Sequence, residues 1–145
     1  MQSAPAVILL VEDDLSHAEI VKRHFSESRI ANLLVHVKDG QEALDYLLLR
    51  NHFNDPLKAP RPGMVLLDLR MPKVDGLDVL RTIKADPGLS SISVVILTTS
   101  SSERDVAMAY EYHANSYLVK PTDFKKFADM MDTLGAYWLT WNQRP

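Results

Sequence analysis

The sequence predicts an α/β fold in which helices cover both faces of a five-stranded parallel sheet. Two observations carry this. Short runs rich in Val, Ile and Leu recur five times along the chain, and a stretch of helical periodicity follows each of them. Strands that alternate with helices call for a parallel sheet, and right-handed crossovers then make the sheet doubly wound. A third observation agrees: the first, third and fourth runs are apolar at successive positions, as strands covered on both faces are.

The first run, AVILLV at 6–11, ends in three carboxylates, Glu12, Asp13 and Asp14. The next segment, AEIVKRHF, places Val21 and Phe25 on one helical face, and Ser16 with Glu19 reads as its capping box. LLVHV at 33–37 is the second strand, and Asp39 is positioned to cap the helix GQEALDYLLL. MVLLD at 64–68 is the third strand. GLDVLRTIKA follows, with Leu77, Leu80 and Ile83 at helical spacing and a stop at the turn Asp86-Pro87-Gly88. ISVVILT at 92–98 and the helix SERDVAMAYEY make the fourth unit. SYLVK at 116–120 and a helix from Thr122 to about Trp141 make the fifth. The segment 51–63 carries three prolines and is the longest loop. It leads from a helix into a strand and so belongs at the amino ends of the strands, away from the edge where sites form in such folds. The chain shows no internal repeat beyond the strand-helix alternation and no low-complexity tract.

The chain has 145 residues, 46% of them hydrophobic, which fits one domain over 1–145 with a core spanning about 6–142 and no room for an output module. It contains no cysteine, which excludes disulfides and thiolate metal sites and suits a reducing, cytoplasmic setting. The N-terminus has no basic start, and no run approaches the roughly 18 apolar residues of a membrane span, so neither a signal peptide nor a membrane anchor is expected. With a net charge of −3 and its Lys and Arg scattered, the chain lacks an electrostatic surface for nucleic acid.

The chemistry lies in what ends each strand. Glu12, Asp13 and Asp14 follow the first, Asp68 the third, Thr98 and Thr99 the fourth, and Lys120 the fifth. A parallel sheet gathers these endings at one edge. Like charges crowded together raise one another's pKa unless a cation sits among them. Carboxylates from two strands are the hard oxygen ligands that Mg²⁺ takes, and Glu12, Asp13 and Asp68 are the candidate set. Lys120 would supply a fixed positive charge, Thr98 a hydroxyl for a phosphoryl oxygen, and Asp68 a nucleophile able to form an acyl phosphate.

The motifs LLVEDD, LLDLRMPKVDG, VVILTTS and YLVKP, in that order and spacing, resemble the receiver domain of bacterial two-component response regulators. The resemblance implies a flavodoxin-like sheet of order 2-1-3-4-5. It further implies that Asp68 accepts phosphate from a histidine kinase, and that Asp13, Asp68 and the backbone carbonyl of Arg70 bind Mg²⁺ with Glu12 assisting through water. Thr98 and Lys120 would contact the phosphoryl oxygens, Tyr117 would be the aromatic switch, and the Lys120–Pro121 peptide would be cis. The 54–63 loop, VVILTTSSSERDV, AYEYHANSYLVKP and the ending YWL are similar to single-domain receivers that accompany phytochrome-class histidine kinases. Some positions depart from the commonest pattern: Glu12 stands for an aspartate and Thr99 for an alanine, and the side chains of Arg70 and Ser100 sit where family members tune dephosphorylation.

Other readings compete. Glu12 and Asp13 alone could be a solvated rim, Lys120 a structural partner of a carboxylate, Thr98 an ordinary strand residue and Tyr117 a half-buried strand aromatic. A dehalogenase-type phosphatase would need a second aspartate two residues after the nucleophile, where this chain has Arg70. A flavodoxin-like flavin site would need a hydroxyl-rich loop in place of VEDDLSH. A receiver that binds partners without phosphorylation is the third rival. None of the five histidines shows metal-ligand spacing. In the last helix Phe124, Phe127, Met131, Leu134, Trp138 and Trp141 form a stripe that a sheet would bury. Two tryptophans so close together, with Tyr137 off the stripe, point to a partner face of Tyr137, Trp138 and Trp141, used in a homodimer.

Overall fold

The computed structural model describes residues 5–144; residues 1–4 and 145 of the expected domain lie outside them. Five parallel strands, β1 (Ala6–Val11), β2 (Asn32–Val37), β3 (Met64–Leu67), β4 (Ser93–Thr98) and β5 (Ser116–Val119), lie in the order β2-β1-β3-β4-β5. The helices between and after them are α1 (Leu15–Ser26), α2 (Gly40–Leu47), α3 (Gly76–Ala85), α4 (Glu103–Glu111) and α5 (Phe124–Ala136). This is the doubly wound sheet that the alternation predicts.

Successive strand residues point to opposite faces, and each face has its own core. Leu9, Val11, Val65, Leu67, Val94 and Ile96 pack under α2, α3 and α4, against Tyr46, Val79, Leu80, Ile83 and Ala109. Ile8, Leu10, Met64, Leu66, Val95 and Leu97 pack under α1 and α5, against Ala18, Val21, Phe25, Phe127 and Met131. The three central strands are buried almost throughout, while the edge strands β2 and β5 are only partly covered. That difference separates continuous from mixed apolar runs in the sequence.

Asp39 caps α2 as expected, accepting from the Glu42 amide at 2.8 Å. The cap of α1 differs. Asp14, not Ser16, is the N-cap, and its Oδ1 accepts from the amides of Ser16 (2.9 Å) and His17 (3.1 Å). The helix therefore starts earlier, at Leu15, because a carboxylate one residue past the strand end already reaches those amides. The 51–63 loop contains one 3₁₀ turn, Asn51–Phe53, and lies at the amino ends, where Gly63 donates its N–H to the Val7 carbonyl at 2.9 Å.

After α5 the chain tightens no further but widens into a π-helical turn, Tyr137–Trp141. This turn corrects the expected partner face. Trp138 is only 4% exposed and joins the α1/α5 core with Leu139, whereas Tyr137 is 58% and Trp141 81% exposed. The wider π turn breaks the three-four stripe, so Trp138 turns against Gly63 at the amino end of β3 while Trp141 is carried outward. Phe124, at the start of the stripe, is also exposed.

Candidate functional site

The ladder of backbone hydrogen bonds continues past the strands and aligns the endings. Glu12 donates its N–H to Val37, Asp68 to Val11 and Lys120 to Thr98, at 3.1, 3.1 and 2.7 Å. Glu12, Asp68, Thr98 and Lys120 are thereby brought to one edge, and all four are buried. The loop after Asp68 folds back tightly. Gly76, the first residue of α3, approaches so closely that a Cβ there would lie 2.2 Å from the Asp68 carbonyl oxygen. Only glycine fits that approach.

The three consecutive carboxylates have three different fates. Glu12, 1% exposed, places Oε1 2.5 Å from the Lys120 ammonium. Asp13 is exposed at the mouth of the site. Asp14 turns away to cap α1, where the Ser16 hydroxyl and then the His17 amide hold its carboxyl below the usual carboxylate range. Lys120 also lies 3.3 Å from Asp68 Oδ2, so one ammonium bridges the first and third strands.

One carboxylate oxygen from each of Glu12, Asp13 and Asp68 lies within 4.8 Å of the others. Opposed oxygens around an octahedral Mg²⁺ are about 4.2 Å apart, so a slight contraction closes this set on a divalent cation. The electrostatics agree. Burial pushes the Glu12 carboxyl up to about 8, against the lowering pull of its hydrogen bond to Lys120. Burial disfavours the ionised form of Glu12, and a divalent ion drawn to the acidic set would favour it. The residues present fit such an ion.

Thr98 is fully buried, and its Oγ1 meets the Ser100 amide at 3.4 Å. Thr99 is exposed at the rim. Tyr117 is half-buried and donates its hydroxyl to the Ser100 carbonyl at 2.8 Å, so the aromatic expected to switch is tied to the β4–α4 loop. Burial is the main cause raising its phenol pKa. The Lys120–Pro121 peptide is trans, as is every other described peptide, which corrects the cis bond that the resemblance implies. The ammonium reaches both carboxylates from the intrinsically preferred isomer.

Two sets of contacts were not legible in the sequence. Arg70 reaches across to Asp105 on α4 at 2.5 Å, and Ser100 donates its hydroxyl to the same Asp105 oxygen at 2.6 Å. Ser100 and then Arg70 hold the Asp105 carboxyl below its usual range. The second set is His17, whose Nδ1 lies 3.0 Å from the Lys120 ammonium. One signal existed for it: His17 continues the Val21–Phe25 spacing of four by one more turn, toward the site. Arg70 and Asp105 are joined across two loops and left no such signal.

A half-buried tyrosine, a hydroxyl, an ammonium and an acidic cluster at the carboxyl edge of a five-stranded doubly wound sheet define a phosphoacceptor class of signalling domain. Residues 8–132 match the response regulator receiver domain, and the chain belongs to that family. Such domains work opposite histidine kinases. The chain is 45% identical over 141 residues to a probable methanogenesis regulatory protein, FilR2, of Methanothrix harundinacea, covering 97% of this chain and 88% of the relative. It is 40% identical over 135 residues to the response regulator Rcp1 of Synechocystis, covering 93% and 90%. The Mn²⁺-bound crystal structure of Rcp1 superposes with a TM-score of 0.93 at 39% identity, covering 97% and 99%. The structure of the phosphorylated cyanobacterial phytochrome response regulator RcpA also gives 0.93, at 34% identity, covering 98% and 99%. Among the described residues no helix is long and apolar enough to cross a membrane.

Proposed function

We propose that this chain is a phosphorylated switch in which Asp68 takes a phosphoryl group from the phosphohistidine of a histidine kinase. The observation that carries the reading is the Lys120 ammonium set between Glu12 and Asp68 at the carboxyl edge. An Asp68 oxygen forms a bond to phosphorus as the P–N bond of the donor breaks. The electron pair leaves with the imidazole, which takes up a proton. Asp13, Asp68 and the Arg70 carbonyl would hold Mg²⁺, with Glu12 assisting. The ion would supply positive charge that lets two anions meet. Lys120 and the Thr98 hydroxyl hold the phosphoryl oxygens.

Phosphorylation adds roughly −1.5 to −2 charges at this edge. Thr98 and its loop draw inward, Tyr117 is repositioned through its bond to Ser100, and the face of α4, β5 and α5 is reshaped for a partner. The dehalogenase reading is disfavoured by Arg70, whose guanidinium is occupied by Asp105 and cannot act as a general acid. The relatives FilR2 and Rcp1 are little longer than the matched span, which supports a stand-alone regulator. Likeness to Rcp1 and RcpA supports a phytochrome-class kinase as donor. Exposed Tyr137 and Trp141, without Trp138, remain the face for a homodimer.

Incubation with acetyl phosphate and Mg²⁺, followed by intact mass measurement, tests the core of this. Wild type gains one phosphoryl group and Asp68→Asn gains none. No adduct on wild type, or steady turnover of p-nitrophenyl phosphate, would overturn it. Phosphotransfer from a phytochrome-class kinase in light and dark tests the donor, and light scattering at tens of micromolar tests the dimer.

A further inference from the structure

We infer that His17 is a positioning residue for phosphoryl transfer: its neutral imidazole holds the Lys120 ammonium in place when the carboxylates around it are engaged elsewhere. The inference rests on the reading that Asp68 is phosphorylated and that Lys120 contacts the phosphoryl group.

An ammonium has three N–H donors and no acceptor. Lys120 spends them on Glu12 Oε1 at 2.5 Å, Asp68 Oδ2 at 3.3 Å and His17 Nδ1 at 3.0 Å. The Lys120 side chain is 2% exposed, so water cannot readily replace a lost acceptor. Because the ammonium donates, Nδ1 must be the unprotonated ring nitrogen, and the imidazole is neutral with its proton on Nε2. Two of the three acceptors belong to the acidic set that closes on a divalent ion. Asp68, in addition, becomes an acyl phosphate, a mixed anhydride. His17 is the acceptor with no competing claim on its lone pair. It is also uncharged, so it can fix the direction of the lysine without competing with an incoming phosphoryl oxygen for its charge, as a third carboxylate would.

The ring is itself held. It stands in the first turn of α1, directly after the Asp14 cap, and packs on Phe127 of α5 with ring centroids 5.6 Å apart. Phe127 is buried. The charged groups facing the ring are Lys120, from the β5–α5 connection, and Asp14, whose Oδ2 is 3.7 Å from Nδ1, beyond hydrogen-bond reach. From α5 the ring meets the uncharged Phe127.

The test compares wild type with His17→Leu and His17→Asn. The asparagine carbonyl oxygen can occupy nearly the place of Nδ1 and accept from Lys120. Rates of Asp68 phosphorylation by acetyl phosphate at saturating Mg²⁺ are measured at one neutral pH, with thermal melts as a check on folding. The expected result is a loss of about tenfold or more in the leucine variant, as for removal of a hydrogen bond to a charged group. The asparagine variant recovers most of that rate. Equal rates in wild type and a folded leucine variant would overturn the inference. So would an asparagine variant that recovers none of the lost rate, and, if the leucine variant does not fold, a folded asparagine variant about tenfold or more slower than wild type overturns it. No adduct on wild type would instead defeat the phosphoacceptor reading itself.

Discussion

At the carboxyl edge of the sheet the buried residues are Glu12, Asp68, Thr98 and Lys120, whereas at the amino edge they are Ala6, Met64, Trp138 and Leu139. Both edges are closed by loops and by turns of α5 or its continuation. Their energetics differ in kind. Apolar contact closes the amino edge, and the apolar surface buried there stabilises the fold. At the carboxyl edge, charges are taken out of water and offset only by one another, an arrangement that adds little net stability but holds reactive groups in place. Folding therefore relies on one end of the sheet, and chemistry uses the other.

The comparison breaks if truncating the amino edge disturbs the chemistry. Trp138→Ala is expected to lower unfolding free energy by about 3–5 kcal/mol, read from urea denaturation. Phosphorylation of Asp68 by acetyl phosphate should stay unchanged below the melting point. Trp138→Phe should cost clearly less, because the Trp138 indole N–H is buried without a partner among the described residues and its removal leaves nothing unsatisfied.

At the other edge, Lys120→Met is expected to abolish phosphorylation and to lower the metal-free stability by about 3 kcal/mol, since buried Asp68 loses its cation and the Glu12 carboxyl its hydrogen-bond donor. Adding Glu12→Gln to it should recover part of that stability but none of the phosphorylation. A double variant no more stable than the single one would mean that the Glu12–Lys120 pair is not the source of the loss.

A smaller effect follows from the Glu12 carboxyl, which burial raises from 4.5 to about 8. Its folded form binds the proton more tightly than its unfolded form. The contribution to stability is therefore complete below pH 4.5 and is lost as pH rises toward 8. Metal-free thermal melts should show this decline, and Glu12→Gln should flatten it. Divalent cation binding, which needs the carboxylate, should strengthen over the same range. The smallest effect concerns Asp105, whose carboxyl is lowered by Ser100 and then Arg70. Its contribution is present above the unfolded carboxylate range and is lost as pH falls through the lowered value. Asp105→Asn should remove that acid limb at a cost within about 1 kcal/mol at neutral pH, because Arg70 is largely exposed.

The strands were legible because burial on both faces leaves a continuous apolar run, as in VILLV and VVIL. The site was legible because a parallel sheet forces strand endings together, whatever lies between them in sequence. Asp14 shows where this stops. In sequence it is one of three equal carboxylates, and only the start of α1 one residue later makes it a cap. Trp138 shows the same limit. The stripe of α5 placed it with Trp141, and a single π turn separated them.

What the sequence determined by itself was the order of strands and helices and the kinds of atom delivered to the carboxyl edge, since both depend on local periodicity and on which residue ends each run. Tertiary structure alone decided which carboxylate meets the ammonium, that His17 completes its shell, that Arg70 and Ser100 converge on Asp105, and that the lysine reaches its partners through a trans peptide. These are contacts between side chains far apart along the chain. Differences of an ångström in the packing of α1, α4 and α5 select them, and no periodicity encodes a difference of that size.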